Sequence, residues 1–391
     1  MYGERGIGKT ALAKLISSIA AEKDDELNNL DFLVSYYSAQ HNQNFKSILE
    51  SSLNNIADQI DEPVLKRIGS RLGKVFKDGK FSIGAFGVTA EYHADSEKSK
   101  DSESITIKDQ VVSILRNILA QIKDENSLEN KKDGILFIID EMDNVSDIED
   151  CASIIRGITT ELDFEDYGYI SFLLIGYENG YEHFLRGDES IRRLIDPIQL
   201  KEMPDDEVIE TFKKGFEVAN IKWNADVLKD KVWMTGGYPL AIQVIGFHLI
   251  EADEDHFIDS EDWDKAASKS SKELIDKEYS MYFSFGSQTK KNKDKILFTL
   301  AVASTYLDTL STRDIQQLSK IKNPSQYVIQ LLNSGVIFKN KNTGEFTIKR
   351  GLLRTAILLD SFESDRSPGS IESMTRLLDE SQKLANSKKS N

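Results

Sequence analysis

Residues 3–10 read GERGIGKT and residues 134–141 read GILFIIDE, and these two stretches decide the fold. The first fits the pattern G-x-x-x-x-G-K-[ST] at every position. Glycines at 3, 6 and 8 let the backbone curl so that several N–H groups face one anion. ALAKLISSIA follows with helical amphipathicity, so a helix N-terminus brings the positive end of its dipole to the same place. Gly3, Glu4, Arg5, Gly6, Ile7, Gly8, Lys9, Thr10 and Ala11 therefore read as a cradle for the phosphates of ATP. Lys9 is expected to reach the β- and γ-phosphates, and the Thr10 hydroxyl to ligate magnesium. In the second stretch Ile135–Ile139 are all apolar, and Asp140 and Glu141 follow. A buried strand of this kind carries its terminal acids to the carboxyl edge of a sheet, where ligands bind in open α/β folds. Asp140 is expected to hold the magnesium, and Glu141 to orient or deprotonate an attacking water.

Working outward, DFLVSYYS (Asp31–Ser38) and YISFLLIG (Tyr169–Gly176) are further apolar, strand-like runs. Helical periodicity fills Asn44–Ile60 and Ile105–Ile122. Short apolar strands separated by helices predict a parallel sheet covered on both faces. GKFSIGAFGVTAEYH (Gly79–His93) predicts an inserted hairpin, and the charged stretch Asp95–Ser104 a surface loop. A phosphate loop follows a strand, yet only Met1 and Tyr2 precede Gly3. The expectation is an α/β core whose first strand is missing from these residues: either the true start lies upstream, which is the preferred reading, or another segment fills the central slot, since a sheet lacking its middle strand would expose an edge on both neighbours.

The pattern changes near Met203. PDDEVIETFKKGF opens with proline and acids, as a helix N-terminus should, and helical periodicity continues to about Tyr282. GSQTKKNKDK (Gly286–Lys295) reads as a linker or a helix start. Helices near Lys295–Ser304, Thr312–Ser319 and Ser325–Ser334 precede GVIFKN, a turn at Asn342–Gly344, and EFTIKR, with a closing helix from Leu352. Three helices followed by a two-stranded wing is the winged-helix plan. The expected organisation is a phosphate-loop core over 1–202, a helical lid over 203–285, a winged helix over 286–364 and a polar, fraying tail over 365–391.

The net charge of -16 over 391 residues repels nucleic acid and anionic membranes at long range, so any nucleic-acid contact must come from a local basic patch. Lys320, Lys322, Lys339, Lys341, Lys349 and Arg350 supply such charge in the winged helix, while its third helix, SQYVIQLLNSG, has no basic residue. No apolar run is long enough to span a bilayer. The single cysteine, Cys151, excludes an intramolecular disulfide, fits a cytoplasmic protein and reads as a packing residue. The five histidines show no metal-ligand spacing.

GERGIGKT, ILFIIDEMD and GGYPLAIQVIG (Gly236–Gly246) together resemble the AAA+/STAND clade of P-loop ATPases, which includes origin-recognition ATPases and NB-ARC switch proteins. The resemblance implies Mg-dependent ATP hydrolysis and the order core, helical lid, winged helix. It also implies that Gly237, Tyr238 and Pro239 match a glycine-x-proline signature packing on the adenine side of the nucleotide. Tyr177, Glu178 and Asn179 occupy the region of the sensor-1 polar residue, with Asn179 the candidate to contact the γ-phosphate or water. SIRRLIDPIQL (Ser190–Leu200) resembles the segment that supplies an arginine to the nucleotide, in cis or across a subunit interface. Arg192 and Arg193 are the candidates, Arg193 the preferred one.

The main functional expectation is an ATP-driven switch acting with a protein partner or effector, with nucleotide-dependent homo-oligomerisation as one form of it. The alternative is a DNA-binding ATPase of the initiator or loader type using its winged helix. A nucleotide-binding scaffold without turnover is a third reading, opposed by the intact set Lys9, Thr10, Asp140 and Glu141.

Overall fold

The computed structural model describes residues 1–21, 31–77, 79–83, 106–122, 132–164, 169–276, 287–348, 351–360 and 371–389. The chain divides into two units, one of residues 1–3 and 8–200, the other of residues 4–7 and 201–391.

In chain order the first unit carries α1 (Lys9–Ala21), β1 (Phe32–Ser38), α2 (Phe45–Ala57), α3 (Glu62–Leu72), β2 (Phe76–Lys77), β3 (Lys80–Phe81), α4 (Ile107–Ile122), β4 (Gly134–Asp140), α5 (Ile148–Phe164), β5 (Tyr169–Leu174) and α6 (Glu178–Gly187). β1, β4 and β5 pair in that spatial order, all parallel. Ser38 lies opposite Asp140, and Gly134 opposite Tyr169. Every residue of β4 is buried. The two-residue alternation of a strand sends Ile135, Phe137 and Ile139 into the large core formed with α2, α4 and α5. It sends Leu136 and Ile138 to the opposite face, against Ala13 of α1. Burying such a side chain contributes about 1.5–3 kcal/mol, so an acid-terminated apolar run is held firmly in the middle of the sheet. Cys151 on α5 is buried in the large core, which raises its thiol pKa and suits a packing role.

The slot of the first strand is filled only at its end. Tyr2 is bridged in parallel to Gly176, just past β5, and on its other side to Gln199. Its N–H donates to Ile198 O at 2.8 Å, its carbonyl accepts from Leu200 N at 2.8 Å, and its ring stacks on Tyr181 at 4.8 Å. The inserted hairpin starts earlier than its sequence suggested. Its described part is β2 paired with β3, because Phe76 and Phe81 pack with ring centres 5.1 Å apart and Asn54 clasps both main-chain groups of Phe81. Most of Gly79–His93, all of Asp95–Ser104, and Lys349 and Arg350 lie outside the described residues.

The second unit carries α7 (Asp205–Ala219), β6 (Lys222–Trp223), α8 (Ala225–Lys231), α9 (Pro239–Ala252), β7 (Phe257–Ile258), α10 (Ser260–Leu274), α11 (Ser287–Ala303), α12 (Thr312–Ser319), α13 (Ser325–Asn333), β8 (Ile337–Lys339), β9 (Phe346–Ile348), α14 (Gly351–Asp360) and α15 (Ile371–Lys389). Three acids in the first turn of α7 complement its dipole, and Asn220 in the left-handed conformation ends it. Asp259 and Asp262 form a capping box at the start of α10, which buries Trp263 fully beside Phe212. The helical and winged-helix segments share this unit. α14 joins them, since Ala356 O accepts from the Ser271 hydroxyl at 2.9 Å and the Thr355 hydroxyl donates to Thr235 O at 3.0 Å. α11, α12, α13 and the antiparallel pair β8–β9 make the three-helix-and-wing arrangement.

The C-terminal stretch expected to fray forms α15 instead. Met374, Leu377, Ser381 and Ala385 recur at helical spacing on a buried face packed against α11. Lys388 near its end bonds Asp314 at 2.8 Å and Glu345 at 3.3 Å. Among the described residues, no helix is long and apolar enough to cross a membrane.

Candidate phosphate-binding site

In the first unit the site is built where α1 begins. Gly8 has φ +91°, a left-handed value that a side chain would strain, and its carbonyl accepts the first helical bond from Leu12 N at 2.9 Å. Lys9, Thr10 and Ala11 form the first turn of this helix, with their N–H groups directed toward its N-terminal end. The helix runs for 13 residues, which places the positive end of its dipole here. The Lys9 ammonium donates to Gly3 O at 2.8 Å and lies 4.3 Å from the centre of the Tyr177 ring.

The end of β4 meets this helix. The Thr10 hydroxyl donates to Asp140 Oδ2 at 2.7 Å, and the Tyr36 hydroxyl donates to the same oxygen at 2.9 Å. Asp140 Oδ1 accepts from Glu141 N at 2.8 Å. Asp140 is only 3% exposed, and these donors satisfy its buried carboxylate oxygens. Burial, and then the bond and charge of Asp140, push the Tyr36 phenol far up, so it stays a donor. Tyr36 sits two residues before Ser38, the partner of Asp140, and therefore on the same face of the sheet. Glu141 adopts φ +60°, ψ +41°, a sparsely populated conformation for a side-chain-bearing residue. It turns the chain sharply out of the strand. Asp143 follows and accepts from Tyr177 N at 2.7 Å, which fixes the residue beneath Lys9.

Lys9, Thr10, Asp140 and Glu141 are thus brought together. Asn179 is exposed in the first turn of α6. Arg192 and Arg193 are exposed on a 3-10 turn, Glu189–Arg193. Among the described residues, neither arginine bonds Thr10, Asp140 or Glu141.

The crest of the loop, residues 4–7, belongs to the second unit. Gly6 has φ +80°, and its carbonyl accepts from Leu240 N at 3.2 Å, in the first turn of α9. Glu4 Oε2 accepts from Gly351 N, the first residue of α14, at 3.1 Å. The Tyr238 hydroxyl lies 2.8 Å from Glu4 Oε2 and 2.9 Å from Glu202 Oε1. Burial, followed by the charge of Glu4, pushes the Tyr238 phenol up as well. Pro239 opens α9 at its first position, where a missing N–H costs nothing. Gly237 before it has φ +70°, and a Cβ there would stand 2.2 Å from Met203 O. Tyr36, Glu202 and the capping role of Glu4 escaped the sequence reading. Only Tyr36 had a local signal, a hydroxyl-bearing residue at the end of an apolar strand.

No family model matches the chain, and no curated protein does. Solved structures to which the chain is similar include ORC and Cdc6 proteins. The Aeropyrum pernix ORC2 protein, in ADPNP-ADP complexes, matches over 100% of this chain and 88% of its own, at 14% identity and a TM-score of 0.44. Cdc6p from Pyrobaculum aerophilum matches over 97% and 86%, at 14% identity and a TM-score of 0.40. The Aeropyrum pernix ORC1 protein in complex with DNA matches over 92% and 86%, at 11% identity and a TM-score of 0.37. These likenesses are distant, and the switch-protein side of the sequence resemblance has no counterpart among the three.

Proposed function

We propose that this chain binds ATP with magnesium and hydrolyses it, Lys9 meeting the β- and γ-phosphates and the N–H groups of Lys9, Thr10 and Ala11 cradling them. The observation that carries this reading is the 2.7 Å bond between the Thr10 hydroxyl and Asp140 Oδ2. It brings the hydroxyl after the loop lysine and the acid at the strand end to one point. That donor set fits magnesium, which takes few protein ligands and completes its shell with phosphate oxygens and water. When bound, the ion would neutralise charge developing on the phosphates. Thr10 would ligate it, and Asp140 would hold it directly or through water. Glu141, thrown out of the strand by its left-handed turn, is assigned the water-orienting role. Arg193, exposed and without a bond to these groups, is assigned an action across a subunit interface, which makes turnover dependent on a nucleotide-linked homo-oligomer. Pro239, with Tyr238 and Gly237, is assigned to adenine-side packing.

The test is ATP turnover with magnesium for the intact chain beside Lys9→Ala and Glu141→Gln. Lys9→Ala should weaken nucleotide binding by about 100-fold, since a charge-assisted bond of about 3 kcal/mol is lost. Glu141→Gln should bind normally and lose turnover. Normal turnover by Glu141→Gln removes that residue from the mechanism. Tight nucleotide binding by Lys9→Ala sinks the site itself.

A basic concavity favours the DNA-acting alternative over a switch driven by a protein effector. Arg313, Lys320 and Lys322 surround a space of about 530 Å³ beside α12, and exposed Lys339 and Lys341 extend the positive charge onto the wing. In a chain of net charge -16 such a cluster is a local exception. The proposal is that this face engages duplex DNA in a cytoplasmic ATPase of the initiator type. Duplex affinity should fall steeply with salt and weaken further in Arg313→Ala/Lys322→Ala. Salt-independent or absent duplex binding returns the protein-effector reading.

A further inference from the structure

β4 and β5 run parallel, and Ile139 lies opposite Leu174, so the residues that follow both strands emerge side by side. β4 delivers Asp140 to the Thr10 hydroxyl. Three residues past β5, Tyr177 lies under Lys9, its ring centre 4.3 Å from the ammonium nitrogen. The sequence pattern of a phosphate loop assigns no aromatic residue to its lysine. Lys9 and Tyr177 are both half-buried, so the ring takes the place of water on one side of the ammonium.

The chain around Tyr177 fixes the backbone from which that ring projects. Ile175 N donates to Ile139 O, and Met142 N donates to Ile175 O, each at 2.9 Å, which ties the turn after Glu141 to the end of β5. That turn presents Asp143, whose Oδ2 accepts from Tyr177 N at 2.7 Å. Glycines make room for this carboxylate. A Cβ on Gly176 would stand 2.8 Å from Oδ2, and one on Gly180 would collide with Oδ1. Tyr177 is the N-cap residue of α6, with extended backbone at φ -90° and ψ 169°, and its side chain makes no capping bond. Its carbonyl accepts from Tyr181 N at 3.1 Å, the first bond of the helix. Asp143 places a negative charge at the positive end of the α6 dipole, a task that an N-cap side chain often performs. The Tyr177 ring is thereby left to Lys9, on a backbone bonded at both its N–H and its carbonyl.

We propose that Tyr177 is a positioning residue for Lys9, an aromatic platform that holds the ammonium in place for the phosphates, and that Asp143 acts through it. The proposal rests on the ATP reading of the loop. A lysine side chain gives up much rotamer freedom when it meets a phosphate. Gly3 O, which accepts from the Lys9 ammonium at 2.8 Å, and the ring face restrict that freedom in advance. An ammonium has three donors, so both contacts can persist while a phosphate oxygen is met. Such a restraint acts alike on bound substrate and transition state. It therefore belongs to binding and not to the chemical step.

The experiment is a double-mutant cycle of Tyr177 and Lys9 in the full chain, read by binding and turnover of ATP with magnesium. Tyr177→Leu should weaken ATP binding and raise KM about fivefold, the equivalent of about 1 kcal/mol, with kcat within about twofold of the unsubstituted chain. Tyr177→Phe keeps the ring face and should match the unsubstituted chain. In the Lys9→Ala background Tyr177→Leu should cause no further loss. Asp143→Ala should reproduce the rise in KM, and Asp143→Ala/Tyr177→Leu should be no worse than Tyr177→Leu alone. One readout needs no nucleotide. The ε-methylene protons of Lys9, followed by NMR in lysine-labelled protein, should be shifted upfield by the ring in the unsubstituted chain and in Tyr177→Phe, and lose that shift in Tyr177→Leu. Unchanged affinity in Tyr177→Leu, or an equal loss with and without Lys9, overturns the proposal and leaves the ATP reading standing. So does a fall in kcat at unchanged KM, or the absence of a ring shift at Lys9. Tight ATP binding by Lys9→Ala is the separate failure, that of the ATP reading, and it overturns the proposal with it.

Discussion

Removing the Tyr36 hydroxyl tests how the acid at the end of β4 is held. Asp140 Oδ2 has two hydroxyl donors, Thr10 at 2.7 Å and Tyr36 at 2.9 Å. If Thr10 turns its oxygen toward magnesium, Tyr36 is the donor that remains on that oxygen. In Tyr36→Phe the carboxylate then keeps only the N–H of Glu141 on its other oxygen. A hydrogen bond to a charged group is worth about 1.5–3 kcal/mol, and the half-buried Tyr36 argues for the lower end. About 1.5 kcal/mol corresponds to about tenfold in an equilibrium constant. The assay is a magnesium titration of nucleotide binding and of ATP turnover. The half-saturating magnesium concentration should rise about tenfold, while nucleotide binding without magnesium stays within about twofold. The raised phenol pKa means that this difference should persist across the neutral and mildly alkaline range. An unchanged magnesium dependence would show that Tyr36 does not position Asp140. An equal loss of magnesium-free binding would show that the substitution had disturbed the loop instead.

The other predictions concern the second unit. Gly237→Ala forces a Cβ to within 2.2 Å of Met203 O at φ +70°, whereas Gly335→Ala meets nothing within 4 Å at φ +74°. Thermal unfolding should show a loss of about 1 kcal/mol for the second and clearly more for the first; equal losses would make backbone strain the whole effect. Tyr238→Phe removes the buried hydroxyl between Glu4 and Glu202 and should lower stability by about 2 kcal/mol in urea unfolding, a change under about 0.5 kcal/mol refuting the bonds as drawn. Burial works to raise the pKa of Asp314, but the bonds from Lys388 and Ser311 outweigh it and hold it below its usual value. A depressed carboxyl contributes stability above its unfolded pKa of about 3.9 and loses it as pH falls through the lower folded value. Lys388→Met should therefore flatten the acid limb of stability below about pH 4, measured as unfolding midpoint against pH, and an unaltered limb would refute the coupling.

The parts of this protein legible in its sequence are those whose chemistry is local. GERGIGKT states its own turn and its own helix start, and five apolar residues before Asp140 and Glu141 state a buried strand with an acidic end. The winged helix was legible because its helix caps and its Asn342–Gly344 turn each act over a few residues. What escaped is set by distance along the chain or by backbone conformation. The Tyr238 hydroxyl and Glu4 are 234 residues apart, so no spacing rule could have joined them. The left-handed turn at Glu141 has no marker, because the usual signal of positive φ is glycine or asparagine. α15 is different, since its signal was present and was overruled. Polar composition after Ser364 argued for fraying, yet Met374, Leu377, Ser381 and Ala385 keep one face at helical period. A polar helix needs only such a stripe to dock, and the stripe here meets α11. Periodicity outranks composition because a surface helix buries one face and exposes the rest. The same logic applies to β5, where composition promised a buried strand and the structure left one edge open. Burial follows pairing rather than composition: β4 is paired along both edges and buried throughout, whereas β5 is paired along its length with β4 alone and stays half exposed.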